Sequence, residues 1–166
     1  MDKILAARRA GRVQRFHTYD TLRREDVAQH TFNVMNLLLI LTNCNVSKNL
    51  IIAALMHDQG EYVTGDIPSP VKLMLKSEPL LNMEVAAVNF IHHQGGPHLT
   101  EWEQKLLKLA DNLDGYIKAS EEVAMGNMDL KDAKATYLLY LDSMVRHFMG
   151  GDIWARATDI MRHYNV

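Results

Sequence analysis

The sequence predicts an all-α fold in a single domain over residues 1–166, and three observations carry the prediction. Apolar residues recur at helical spacing along most of the chain, strand-like alternation is absent, and prolines and paired glycines fall between the periodic segments. No internal repeat, low-complexity tract or linker divides the chain. A chain of this length buries roughly two-thirds of its unfolded surface, so one core suffices.

The first helix is expected over 3–13, with Ile4, Leu5 and Val13 apolar and its end near Gly11. Residues 15–21 mix aromatic, cationic and hydroxyl side chains without a period and read as a loop. From Asp26, the series Val27, Phe32, Val34, Met35, Leu37, Leu38 and Leu41 has helical spacing and runs to Asn43 or Asn45. Ser47 caps a helix over 48–57. Two prolines and a glycine make 62–70 a non-helical loop, of the kind that shapes a pocket beside a site. A short helix over 71–76 follows, then one from Glu78 or Pro79 to about Gln94, stopped by Gly95-Gly96-Pro97. Thr100 caps a long helix with Glu101 and Glu103 in its first turn and Leu106, Leu107, Leu109, Ala110, Leu113, Tyr116 and Ile117 on one face. Met125-Gly126-Asn127 ends it. Helices over 130–149 and 152–164 complete the chain, either closing the bundle or forming a subunit contact.

Composition narrows the function. The net charge is −2 and is spread along the sequence, so nothing points to a long nucleic acid. Cys44 is the one cysteine, placed by its apolar neighbours in a helical stretch, which leaves no disulfide framework and no cysteine zinc motif. No apolar run approaches the roughly 20 residues of a membrane span, and the N-terminus lacks the layout of a signal peptide. A cytoplasmic protein is expected, in the host cytoplasm if the chain is phage-encoded. The ten methionines fall mostly on apolar faces, where they fill core.

The chemistry gathers at Leu55-Met56-His57-Asp58-Gln59-Gly60-Glu61. An apolar helix delivers His57 and Asp58 side by side, and burying an unpaired carboxylate costs several kcal/mol unless a cation or several donors meet it. His30 lies one turn into an earlier helix, and Asp111 interrupts an apolar surface on a later one. Taken singly, His30 reads as a satisfied core histidine and Asp111 as a surface or capping aspartate. Together the four form two imidazoles and two carboxylates, a set suited to a borderline divalent ion such as Mn, Fe, Co, Ni or Zn rather than Ca.

His30, His57-Asp58 and Asp111, in that order on separate helices, resemble the signature of the HD-domain phosphohydrolase superfamily. The segments 22–31, 56–61, 64–72 and 108–111 look like the bacterial 5'-deoxynucleotidases and equally like the small phage dATP triphosphohydrolases, over roughly residues 12 to 122. Relatives carry Arg-Trp where this chain has Arg15-Phe16, and Glu where it has Gln29. Phe16 can stack on a base without the indole donor. The resemblance implies a divalent metal held by His30, His57, Asp58 and Asp111, a small deoxynucleotide substrate, and a homo-oligomer, either a dimer or a ring-shaped hexamer. It also places Asp66 near the sugar or the scissile phosphate, with turn-capping as the plain alternative, and sets Pro70 and Phe16 around the base.

Chemistry assigns further roles beside the resemblance. Glu61, one turn past Asp58, can orient or deprotonate the attacking water or protonate the leaving oxygen; otherwise it is a solvated helix-end carboxylate. Arg15 can clamp phosphate through its bidentate fork and Lys72 as a point charge, unless they are surface cations. His92, His93 and His98 read as capping or exposed residues, with a second metal as the alternative, and His17 as a solvated loop residue that can reach phosphate. The expected reaction is hydrolysis at the 5' phosphorus of a deoxynucleotide, with dATP and release of triphosphate favoured over a deoxynucleoside monophosphate. A non-catalytic nucleotide-binding domain is the remaining reading.

Overall fold

The computed structural model describes residues 2–68, 71, 78–93, 96–148 and 151–165. Its helices are α1 (Lys3–Ala10), α2 (Val27–Thr42), α3 (Lys48–Met56), α4 (Glu61–Thr64), α5 (Glu78–His92), α6 (Glu101–Ala124), α7 (Lys131–Val145) and α8 (Asp152–His163). The fold is all-α, as the periodicity predicts. Among the described residues no helix is long and apolar enough to cross a membrane.

Local chemistry sets most boundaries. Asp26 and Ser47 accept hydrogen bonds from the amides of Gln29 and Leu50, and Thr100 and Glu103 form a reciprocal capping box at the start of α6. Each cap satisfies an amide that the helix itself leaves unpaired. Asn43 takes the left-handed conformation that closes α2, and Cys44 follows it there with φ 62°. Cys44 is therefore exposed in the turn after α2 rather than inside a helix.

Two other expectations change. Residues Glu61–Thr64 form a helical turn that takes in the first three residues of the segment read as loop, begun by an acidic first residue and ended at Gly65, φ 73°. The segment over 130–149 is not one helix: a 3-10 turn at Met128–Leu130, capped by Asn127, precedes α7, and a second at Arg146–Phe148 follows it. Of the helix expected over 71–76, all but Val71 lies outside the described residues.

The core joins α2 to α6 through Val34, Leu38, Leu41, Leu106, Leu109, Leu113 and Tyr116, with Leu50 and Ala54 of α3, Leu141 and Val145 of α7, and Ala157 of α8 closing around them. Each fully buried leucine contributes about 2 kcal/mol. This packing fixes α2, α3 and α6 relative to one another, and those helices carry the histidines and aspartates. A separate antiparallel contact seats the loop after α1. Gln14 pairs with Asp26, and Arg15 N donates to Glu25 O at 3.0 Å. Gly60 completes the frame, since an added Cβ would lie 2.7 Å from both Cβ and the carbonyl oxygen of Glu84 on α5.

Candidate metal centre and active site

The side chain of His30 is fully buried in the first turns of α2, and its two ring nitrogens face different partners. Nδ1 meets Asp114 Oδ2 at 2.6 Å. A carboxylate only accepts, so a proton sits on Nδ1, and in the neutral ring Nε2 is the atom left to donate electrons. His57, the residue that ends α3, does the same by donating from Nδ1 to the carbonyl of Ala54 at 2.7 Å.

The two Nε2 atoms therefore point at each other, 3.1 Å apart. Asp111 Oδ1 lies 3.3 Å from His30 Nε2, and Asp58 Oδ2 lies 3.4 Å from His30 Nε2 and 3.5 Å from His57 Nε2. His30 Nε2, His57 Nε2 and Asp58 Oδ2 lie close enough together to share one ion, and Asp111 adjoins the set at His30 Nε2. The donor set fits a divalent metal of the borderline kind. His30, His57 and Asp58 form a metal-holding group among the described residues, and Glu25, His30 and Asp114 form a buried group behind it.

Electrostatics agree with the geometry. Burial alone would lower the pKa of His30, but its hydrogen bonds to Asp111 and Asp114 outweigh that and lift it to about 9. Burial would raise Asp111, yet the His30 hydrogen bond and the charges of Lys108 and His57 hold it well below the carboxylate range. A His30 so shifted carries a proton on Nε2 toward Asp111, and a metal would bind there by displacing that proton.

Arg15 reaches the same point from the loop after α1. Its Nη1 donates to Asp58 Oδ2 at 3.0 Å and its Nε to Glu25 Oε1 at 3.2 Å. It is thus a bridge between two carboxylates as well as a cation on the wall of a cavity of about 330 Å³. Burial works against its charge, and Asp58 and Asp111 more than restore it. Phe16, at φ 54°, is buried in a small cluster with Ala119 and Leu130, and its ring stands 6.4 Å from Tyr137 and 6.3 Å from Tyr19. Little of it is left to stack on a base.

The cavity gathers Glu61, Asp66, Asp58 and Asp111 with Arg15 and Lys108. Glu61 is buried at the start of α4, while Asp66 is 4.0 Å from the His17 ring. Pro70 and Lys72 lie outside the described residues. His92 contacts Gln59 at 2.6 Å and His93 contacts Lys3; among the described residues neither they nor His98 join a metal-holding group.

Several lining residues escape a reading of the sequence alone. Lys108 pairs with Asp111 at 2.6 Å. Asp114 sits three residues after Asp111 on the same helix, a spacing that could have flagged it. The α7 face of Asp132, Ala133, Thr136, Tyr137 and Tyr140 lines the cavity, so that helix does more than close the bundle.

A family model described as 5'-deoxynucleotidase YfbR-like matches residues 5–94. The chain belongs to this family. A 5'-deoxynucleotidase of Photorhabdus temperata is 29% identical over 146 residues, covering 74% of each chain, and one of Yersinia pestis (strain Pestoides F) is 27% identical over 149 residues with the same coverage. Among solved structures, the cyanophage S-2L HD phosphohydrolase DatZ, bound to dA and one catalytic Zn2+ ion, superposes with a TM-score of 0.73 at 17% identity, covering 99% of this chain and 97% of that one. A conserved hypothetical protein from Pyrococcus furiosus gives 0.62 at 24% identity, covering 87% of this chain and 98% of its own. These likenesses show a shared fold. The expected divalent-metal cofactor has a matching donor set in this YfbR-like chain.

Proposed function

We propose that this protein hydrolyses 2'-deoxynucleotides at the 5' phosphorus, with deoxynucleoside monophosphates as its substrates. The observation that carries the reading is the gathering of His30 and His57 beside Asp58 and Asp111, two of the wall residues of a cavity whose described carboxylates, Asp58, Glu61, Asp66, Asp111 and Asp132, outnumber its cations, Arg15 and Lys108. A divalent metal there offsets part of that charge and accommodates one phosphate. Two more phosphates would add repulsion that the described cations do not offset.

Those four residues would hold the metal, which when bound supplies Lewis-acid polarisation of a phosphate oxygen and lowers the pKa of a water. The protein's own groups complete the reaction. Glu61 takes the proton from the attacking water and returns one to the leaving 5' oxygen. Arg15, anchored on Asp58 and Glu25, steadies the phosphate through its guanidinium. Asp66 accepts from the 3'-hydroxyl. Lys72 adds a phosphate cation and Pro70 a base-facing wall, which the small part of Phe16 that reaches the cavity adjoins.

The second reading is a dATP triphosphohydrolase releasing triphosphate. It is supported by the near full-length superposition on DatZ, which was solved with dA. The two readings share the attack and differ in the leaving group. Incubating metal-loaded protein with each dNMP, dNTP and ribonucleotide, and resolving phosphate from triphosphate, separates them. Phosphate from dNMPs supports the first, triphosphate from dATP the second, and no turnover of any deoxynucleotide ends both. Light scattering checks the dimer or hexamer that family resemblance implies.

A further inference from the structure

Tyr137 stands where α7 faces α6 on the cavity wall. Its partner on α6 is Gly115: a Cβ built there would lie 2.6 Å from Cε1 and 2.7 Å from the phenol oxygen. Real Cβ atoms do not approach that closely, so the ring holds its position because residue 115 has no side chain. Gly115 is four residues, about one helical turn, beyond Asp111 on the same face of α6. The phenol oxygen therefore sits about a turn along from one of the four converging side chains.

The ring is braced from the other side as well. Phe16 is 6.4 Å away at 55°, and the Arg15 guanidinium lies 5.9 Å from the Phe16 ring centre. Glycine has a helix propensity about 1 kcal/mol below alanine's, so this buried seat is maintained at some expense to α6. Packing alone would be met as well by phenylalanine. The hydroxyl adds a polar donor on the cavity wall that packing does not require.

We propose that Tyr137 donates its phenol hydroxyl to an oxygen of the bound nucleotide, and that Gly115 is the positioning residue that holds it there. The assignment rests on the deoxynucleotide reading above and adds a substrate contact that motif spacing does not reveal. Burial, assisted by the charges of Asp111, Asp66 and Glu25 against that of Arg15, moves the phenol up to about 12, so it keeps its proton as a donor throughout the neutral range.

The test uses Tyr137→Phe, which keeps the ring on Gly115 and removes the hydroxyl. Metal-loaded wild type and variant are compared by dAMP kinetics and by calorimetry with the two products, deoxyadenosine and inorganic phosphate. The expected result is an unchanged melting temperature with affinity for at least one ligand reduced about 10-fold or more. Weakened phosphate binding places the acceptor on the phosphate, and weakened deoxyadenosine binding places it on the sugar. Gly115→Ala should raise KM on its own, but add nothing to Tyr137→Phe if it acts only through the hydroxyl. Equal affinities of wild type and Tyr137→Phe for all three ligands overturn the proposal. If wild type binds the products and turns over no deoxynucleotide, while Tyr137→Phe binds them more weakly, the Tyr137 contact stands and the enzymatic reading falls.

Discussion

Asp111 and Asp114 midway along α6 and Glu122 near its end are all carboxylates drawn into the protein, yet their surroundings differ in kind. Glu122 is fully buried and satisfied from within: Lys118 Nζ donates at 2.8 Å, the amides of Leu22 and Arg23 at 2.7 and 2.9 Å, and Asn127 Nδ2 at 2.9 Å. Asp114 spends itself on His30, and Asp111 shares a point with two imidazole lone pairs and another carboxylate. One end of the helix is a clamp that holds the 20–23 loop. The other gathers electron pairs that only a cation reconciles. Burial of a carboxylate thus signals structure where its donors are built in, and chemistry where they are not.

The contrast is broken most severely at its metal-facing end. Asp58→Asn or His57→Ala should abolish both turnover and metal uptake, read by elemental analysis beside an activity assay. Retention of metal by either would detach the convergent set from the function. Glu61→Ala should keep the metal but lose on the order of 10²-fold in rate, because the proton handler goes while the donor set stays. Asp114→Asn tests the support behind His30. It should cost roughly 10- to 100-fold in metal affinity, since His30 loses the carboxylate that fixes its tautomer.

Arg15→Ala should raise KM for phosphorylated substrates about 10-fold, with melting temperature as the control; a change confined to melting would leave Arg15 as a bridge only. The smallest effect belongs to the clamp. Glu122→Gln should lower stability by about 2 kcal/mol, or about 5 °C in melting temperature, with metal affinity unchanged. Burial opposes ionisation of Glu122, but Lys118, Asn127 and the two loop amides bring its pKa down from 4.5 to about 2. A depressed folded pKa contributes stability above the unfolded value and loses it as pH falls through the folded one. Wild type should therefore lose more stability than Glu122→Gln between pH 4.5 and 2.

How much of the site was legible follows from what each residue needs. His57 and Asp58 end an apolar helix side by side, and a charged group on a buried face needs a partner, so that pair stood out before any contact was known; His30 and Asp111 did so only as members of the set. Glu25, Asp114 and Lys108 carry no such mark. Their roles come from pairing, as in the His30 to Asp114 bond across 84 residues, and sequence spacing holds no record of which distant residue will lie opposite. Phe16 shows the reverse: its place beside Arg15 suggested a stacking surface, and packing turned most of it inward.

The sequence by itself determined the all-α class and the capping at Ser47 and Thr100, and it singled out four side chains as metal candidates, because helical period, end capping and the cost of burying charge act over a few residues. Tertiary structure alone decided that His30 is oriented by Asp114, that α7 walls the cavity, and that Gly115 seats Tyr137. Those depend on helix faces meeting across the core, where shape and distance select partners that local spacing does not encode.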